Sequence, residues 1–214
     1  METNVLPSAL LNAATAILAL YSWLSLMFSW GKSSGLLADR GLRSLRYFTV
    51  QSNLFSGAVS LACVVAYLVL GSALPSWLLV LKLVATTAVM LTCIVVILVL
   101  VPAYDLKSMY MGSNLWMHLI LPLMAALDCC LFQPVGTLPW QTTFLSILPS
   151  ALYGIGYLRN ILIHGAEENG VVYDFYHFLR WGSNKLAIIA LVAFASTWGI
   201  SLLLHTASRL LYHG

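Results

Sequence analysis

The chain has 214 residues, of which 61% are hydrophobic and only 8% are charged, and its formal net charge is +3. This composition excludes an ordinary water-soluble domain, and a small charge spread over loops gives no reason to expect nucleic-acid binding. The apolar residues form long stretches without the two-residue alternation of barrel strands, so we expect membrane-spanning α-helices.

We predict an all-α, polytopic membrane protein whose single integral membrane domain, residues 1–214, is a six-transmembrane-helix bundle. A helix needs about 20 apolar residues to cross a bilayer, and six stretches approach that length. In chain order the predicted spans are residues 10–30, 47–70, 77–101, 115–132, 143–163 and 185–204. Pro102 is expected to end the third span, since proline cannot continue a regular helix.

Basic residues predict the orientation of these spans. Eight of the ten Lys and Arg residues fall between spans one and two, three and four, or five and six, which share one side by parity. They are Lys32, Arg40, Arg43, Arg46, Lys107, Arg159, Arg180 and Lys185. The positive-inside rule puts these loops in the cytoplasm and both termini outside the cell membrane. Lys82, near an end of span three, is expected to reach its own interface.

A stripe of polar residues runs along the second span. Thr49, Ser52, Asn53, Ser56 and Ser60 recur at helical spacing, so they share one face. Such a face must contact protein or a wet cavity. Packing between helices through small hydroxyl residues explains it. A substrate site explains it as well, and the carboxamide of Asn53 favours that interpretation because unpartnered amides are costly in hydrocarbon.

The fourth span supplies an imidazole. Asn114 and His118 are four residues apart and share a helix face. A membrane histidine is either a structural hydrogen-bonding residue or a general base. Pro122 removes one backbone hydrogen bond and is expected to open the helix beside it. Asp128 lies about 15 Å beyond His118 at the helical rise, too far to orient that ring.

The connection between spans five and six combines a glycine-containing turn, acidic residues and an aromatic cluster. It is either a lid over a pocket or an interfacial aromatic anchor. His164, Glu167 and His177 match no metal-binding spacing, so we predict no metal and no cofactor.

Three short motifs resemble one family. They are FTVQSN at residues 48–53, HLILP at residues 118–122 followed by Asp128, and Tyr173-Asp174-Phe175 after a glycine-containing turn. Together they resemble a family of bacterial six-helix integral membrane proteins. That family looks distantly related to the androgen-induced membrane hydrolases, which cleave fatty acid esters of hydroxy fatty acids with an intramembrane threonine and histidine. Asp174 stands where the family usually has proline.

The resemblance implies an intramembrane lipid-ester hydrolase acting on fatty-acyl esters from the cytoplasmic leaflet, with Thr49 as nucleophile and His118 as base. Ser52 remains an alternative nucleophile. The residues predicted to contact substrate are Ser52, Asn53, Ser56, Asn114, Tyr173 and Tyr176. The predicted partner is a membrane lipid or fatty-acyl ester. A transporter or lipid-binding protein without catalysis, and an intramembrane acyltransferase, are the alternatives.

Overall fold

The structure, a computed structural model, describes residues 4–28, 39–71, 74–103 and 109–212. Most of these residues are helical. The main helices are α1 Val5–Met27, α2 Phe48–Leu70, α3 Ser76–Val95, α4 Ser113–Phe132, α5 Ile147–His164 and α6 Leu186–Leu211. Short 3-10 helices cover Gly41–Arg46, Pro134–Thr137 and Trp140–Ser146, and an antiparallel hairpin pairs β1 Glu167–Glu168 with β2 Val171–Val172.

Five of the six main helices, α1 to α4 and α6, are long and apolar enough to cross a membrane. The predicted all-α class is therefore confirmed, and the chain is a multi-pass membrane protein. The count of six spans is not confirmed. Residues 143–163 fold as the end of a 3-10 helix followed by α5, whose last turns carry the polar side chains of Arg159, Asn160 and His164.

Helix α3 lies at the centre of the bundle. In its most apolar stretch 67% of the residues are buried, against 33% in α1 and 22% in α6. It packs against α2, α4, α5 and α6, while α1 packs against α2 and α4. The α1–α2 contact is close because Gly57 has no side chain: an added Cβ would stand 2.7 Å from the Cβ of Ala19.

Two helices contain π turns near proline. Helix α3 continues through a π turn at Val96–Leu100 into Val101–Ala103, so its last described residue lies one position beyond Pro102, where we predicted the span to end. A second π turn, Trp116–Ile120, comes directly before the segment that contains Pro122. A π turn widens the backbone, which relieves the clash between the proline ring and the preceding turn, so the helix continues.

Two of the predicted basic loops meet at one end of the bundle. The Arg46 side chain donates to the carbonyl oxygen of Val172 at 2.8 Å, and the Tyr153 hydroxyl donates to the Arg46 carbonyl at 2.8 Å. We call this end, which carries Arg40, Arg43, Arg46, Arg159 and Arg180, the basic end. Lys32 and Lys107 lie outside the described residues. The placement of the basic end in the cytoplasm stays a prediction.

Replacing Gly57 with alanine should destabilise the bundle. The new methyl group meets Ala19, and such overpacking costs about 1–3 kcal/mol. The matched control is Gly199→Ala in α6, where an added Cβ meets nothing within 4 Å. Thermal unfolding in detergent should show a lower midpoint for Gly57→Ala alone. Equal midpoints for the two variants would contradict the close α1–α2 contact.

Candidate functional site

The polar stripe of α2 faces protein. Ser52, Asn53, Ser56 and Ser60 are all buried, and Thr49 is half-buried. The Asn53 Nδ2 atom donates to the carbonyl oxygen of Thr49 at 2.8 Å and to that of Met117 at 3.1 Å. The second bond joins α2 to the π turn of α4. The stripe therefore serves helix packing at least in part, because both Asn53 donors are used by backbone carbonyls.

His118 lies within this π turn and is only 2% exposed. Its Nδ1 atom is 2.9 Å from the carbonyl oxygen of Met109. A carbonyl oxygen can only accept, so Nδ1 carries the proton, and in the neutral ring Nε2 is the acceptor. This is the tautomer that a general base needs if Nε2 is to remove a proton.

The predicted nucleophile and base lie on helices that touch, but their side chains do not meet. The Asn53 amide donates to two backbone carbonyls, that of Thr49 and that of Met117, the residue before His118. Thr49 and His118 both belong to the described residues, and no hydrogen bond joins the threonine hydroxyl to the imidazole. Asn114, one turn before His118, is buried in the first turn of α4. The nucleophile–base pair stays a prediction.

A groove of about 800 Å³ runs between α2, α3 and α5. Most of its lining is apolar. These apolar residues are Phe48, Phe55, Val80, Leu81, Val84, Leu145, Leu148, Pro149 and Leu152. From Leu145 to Asn160 the groove extends about 22 Å at the rise of a helix. Polar side chains gather where it reaches the basic end, namely Arg46, Gln51 and Asn160.

Of the predicted site residues, all of which the structure describes, only Ser52 lines this groove. Its hydroxyl donates to the Thr49 carbonyl at 3.1 Å and lies 3.3 Å from the hydroxyl of Thr92. Ser52 thus contributes a hydroxyl group to the groove wall, as Tyr153 and Tyr157 of α5 also do. We did not predict the groove from the sequence. The leucines of α5 and its two glycines, Gly154 and Gly156, were a weak signal for it.

The aromatic segment after the hairpin closes one end of the groove. Phe175 lines the groove, and its ring lies beneath the Arg46 guanidinium, 4.2 Å from the ring centre. The Tyr176 hydroxyl accepts a hydrogen bond from the backbone N–H of Phe48 at 3.1 Å. It thereby satisfies one of the donors that the start of α2 leaves without a helical partner. Burial raises the pKa of Tyr176, so this phenol stays neutral.

The buried side chain of Asp174 holds the aromatic segment in place through hydrogen bonds. Its carboxylate accepts from the Tyr157 hydroxyl at 2.6 Å and from the backbone N–H groups of Phe178 and Leu179, each at 2.8 Å. Asp174 is 3% exposed. These three hydrogen bonds hold the aromatic segment against α5. The ring of Tyr173 instead stacks on His164, with centroids 4.3 Å apart. The aromatic segment thus packs against the protein at one end of the groove.

A second polar cluster was not predicted. We expected the Lys82 side chain to reach a membrane interface, but it points into the protein, where it is 1% exposed and forms an ion pair with Asp128 at 2.8 Å. In the interior the ammonium group bonds to acceptors of the protein, whereas at a lipid interface it would bond to water. The sequence contained a signal for this ion pair: predicted spans three and four each contain one charged residue, and the two charges have opposite signs.

The described residues contain no group of three or more His, Cys, Asp or Glu side chains that could hold a metal ion.

Asp174→Ala should loosen the aromatic segment while leaving the helices folded. The change removes the acceptor of two backbone N–H groups and one phenol, and bonds to charged acceptors contribute about 1.5–3 kcal/mol each. Hydrogen exchange at Phe178 and Leu179 should become at least about tenfold faster. The control is Glu167→Ala, at an exposed position of the hairpin. Unchanged exchange in Asp174→Ala would show that the carboxylate does not hold the segment.

No protein-family model, curated protein or solved structure matches the chain. The resemblance to the bacterial six-helix family rests on the three short motifs and stays a prediction.

Proposed function

We propose that the protein binds the acyl chain of a membrane lipid in the groove between α2, α3 and α5, with the polar group of the lipid at the basic end. The observation that carries the proposal is the form of the groove: an apolar channel of about 800 Å³ with polar side chains gathered at one end. An amphiphile with one long chain has the same division of polar and apolar parts.

The length and the opening of the groove fit such a chain. Half of the hydrocarbon core of a bilayer is roughly 15 Å thick, and the groove extends about 22 Å along α5. Leu148 and Leu152 line the groove and are also 53% and 70% exposed. The groove is therefore open on the side of the bundle, and a lipid can enter laterally without leaving the hydrocarbon.

The charge of the basic end favours an anionic polar group. Arg46 lines the groove and is paired with Asp39 at 3.1 Å, while Arg40 and Arg43 are exposed nearby on the chain. Basic residues beside a membrane attract anionic headgroups by about 1 kcal/mol each. If the basic end is cytoplasmic, as the sequence predicts, the bound lipid comes from the inner leaflet.

Filling the groove should abolish lipid binding. Gly156 lines the groove, and an added Cβ there meets nothing within 4 Å, so Gly156→Trp places an indole in the channel without disturbing the backbone. Native mass spectrometry with a lysophospholipid that carries one palmitoyl chain should show at least about tenfold weaker binding.

The matched control is Gly154→Trp, on the same helix and also in open space, but not in the groove lining. Equal binding by the two tryptophan variants and the unmodified protein would place the lipid elsewhere and end the groove proposal.

A second candidate function is hydrolysis of the bound ester by Thr49 and His118. Two observations favour it: the His118 tautomer leaves Nε2 as the acceptor, and Asn53 ties the Thr49 turn to the His118 turn. In this mechanism His118 removes the Thr49 proton and the alkoxide attacks the ester carbonyl. The tetrahedral intermediate breaks its bond to the alcohol of the ester, which leaves with the proton from His118, and an acyl-enzyme on Thr49 remains. Water, deprotonated by His118, then attacks the acyl-enzyme, which releases the fatty acid and returns the proton to Thr49. The mechanism requires a contact between the Thr49 hydroxyl and Nε2 that forms with substrate bound.

The sequence offers the amides of Asn53 and Asn114 as oxyanion donors in this mechanism. Both N–H groups of Asn53 donate to backbone carbonyls, so Asn53 would have to exchange one of these bonds for the substrate. A donor of this kind contributes about 2.7–4 kcal/mol to transition-state stabilisation.

Hydroxyl-specific variants test the hydrolase. Thr49→Val removes the hydroxyl at nearly constant volume, whereas Thr49→Ser keeps it. With a fluorogenic palmitoyl ester in micelles, Thr49→Val and His118→Ala should each lose at least about 10²-fold in rate, and Thr49→Ser should not.

Ser52→Ala serves as the comparison. If it loses the activity and Thr49→Val retains it, the nucleophile is Ser52. Full activity in all of these variants would rule out hydrolysis at this site and leave the lipid-binding role alone.

A further inference from the structure

The ion pair between Lys82 of α3 and Asp128 of α4 is almost completely buried. Its Nζ and Oδ2 atoms are 2.8 Å apart, and each residue is 1% exposed. A single charge in the hydrocarbon region is costly. A buried pair persists only where its geometry is good and its remaining hydrogen-bonding capacity is satisfied. The surroundings of the two charges therefore indicate what the pair does.

All three protons of the Lys82 ammonium group have acceptors. Besides Asp128, they are the Oδ1 atom of Asn12 at 2.5 Å and the hydroxyl of Ser60 at 3.4 Å. An ammonium group has three donors and no acceptor. No proton of Lys82 is left over for a ligand in this arrangement.

The Asp128 carboxylate is satisfied in the same way. Its Oδ1 accepts from the Ser8 hydroxyl at 2.6 Å, and its Oδ2 accepts from the Asn12 amide at 2.8 Å in addition to Lys82. Ser8 and Asn12 belong to α1 and Ser60 belongs to α2, so the pair joins α1, α2, α3 and α4. None of these residues lines the groove.

Gln133 and Tyr67 extend the network on the far side of Ser8. The Gln133 amide donates to the Ser8 hydroxyl at 2.5 Å and to the Tyr67 hydroxyl at 2.7 Å. Both residues are buried. The cluster is thus a buried network of side chains that does not reach the groove, although the Oε1 atom of Gln133 has no hydrogen-bond partner.

We propose that the Lys82–Asp128 pair fixes the rotation and depth of α3 and α4 relative to α1 and α2, and that it takes no part in binding a ligand. Moving α3 by one residue rotates Lys82 by about 100° and shifts it by about 1.5 Å, which breaks all three of its bonds together. Apolar packing alone tolerates such shifts, since lipid-facing leucines are interchangeable. The charges make one arrangement much more stable than its neighbours.

A double-mutant cycle tests the proposal. Lys82→Met leaves an uncompensated carboxylate and Asp128→Asn an uncompensated ammonium group, whereas the double variant has no charge at either position. The readout is the reaction of Cys63 and Cys129 with a thiol-reactive dye on heating, in a background where Cys93 and Cys130 are both replaced with alanine. Both thiols are 0% exposed and lie within the electrostatic reach of the pair. They therefore react when this part of the bundle opens.

Each single variant should lower the unfolding midpoint by about 10 °C, and the double variant should recover most of that loss. The matched control is Thr86→Val, one turn along α3 from Lys82. Thr86 is 0% exposed and its hydroxyl has no hydrogen-bond partner, so the control should unfold at or above the original midpoint. If the single variants do not fold and the double variant does, the proposal is equally supported.

Losses that simply add in the double variant would overturn the proposal, since they would show no coupling between the charges. A double variant that unfolds normally but no longer binds the lysophospholipid would also overturn it, because the pair would then serve the ligand. These outcomes are independent of the groove: if Gly156→Trp leaves lipid binding unchanged, the lipid proposal fails and the thermal results still decide the role of the pair.

Discussion

The hydrocarbon core of a bilayer offers no hydrogen bonds, so a charge or an N–H group buried in this bundle is costly unless the protein supplies its partner. The tertiary arrangement depends on this constraint. Lys82 and Asp128 satisfy it with one another and with Ser8, Asn12 and Ser60, while the two side-chain N–H groups of Asn53 bond to backbone carbonyls of α2 and α4. Where apolar packing alone would leave helices free to slide or rotate, these bonds define how α1 to α4 are placed.

The same constraint separates the bundle into two functional regions. Around Lys82 the donors and acceptors are used internally, so that region is suited to holding helices together. Toward the basic end the helices separate and leave the groove, which is lined mostly by apolar side chains and has Arg46 at its rim. An apolar wall of this kind suits the apolar chain of a lipid.

The segment after the hairpin connects these helices to the groove. Asp174 is bonded to Tyr157 of α5, and Tyr176 is bonded to the first residue of α2. Phe175 lies between them against Arg46. The cover of the groove and the first turn of α2, which carries Thr49, are thus parts of one packed unit. A lipid that fills the groove would contact the unit that also positions the predicted nucleophile.

The sequence by itself determined the class of protein, the positions of most spans and the burial of the α2 stripe. The prediction of residues 47–70 differs from Phe48–Leu70 by one residue, because the length and hydropathy of a span are local properties. Only the tertiary structure decided the Lys82–Asp128 pair and the groove. These depend on how helices distant in sequence are rotated against each other, and the sequence of one helix does not specify the face that its neighbour presents. The short α5 and the π turns beside the prolines were missed for the same reason: packing against neighbouring helices stabilises them, and local pattern does not.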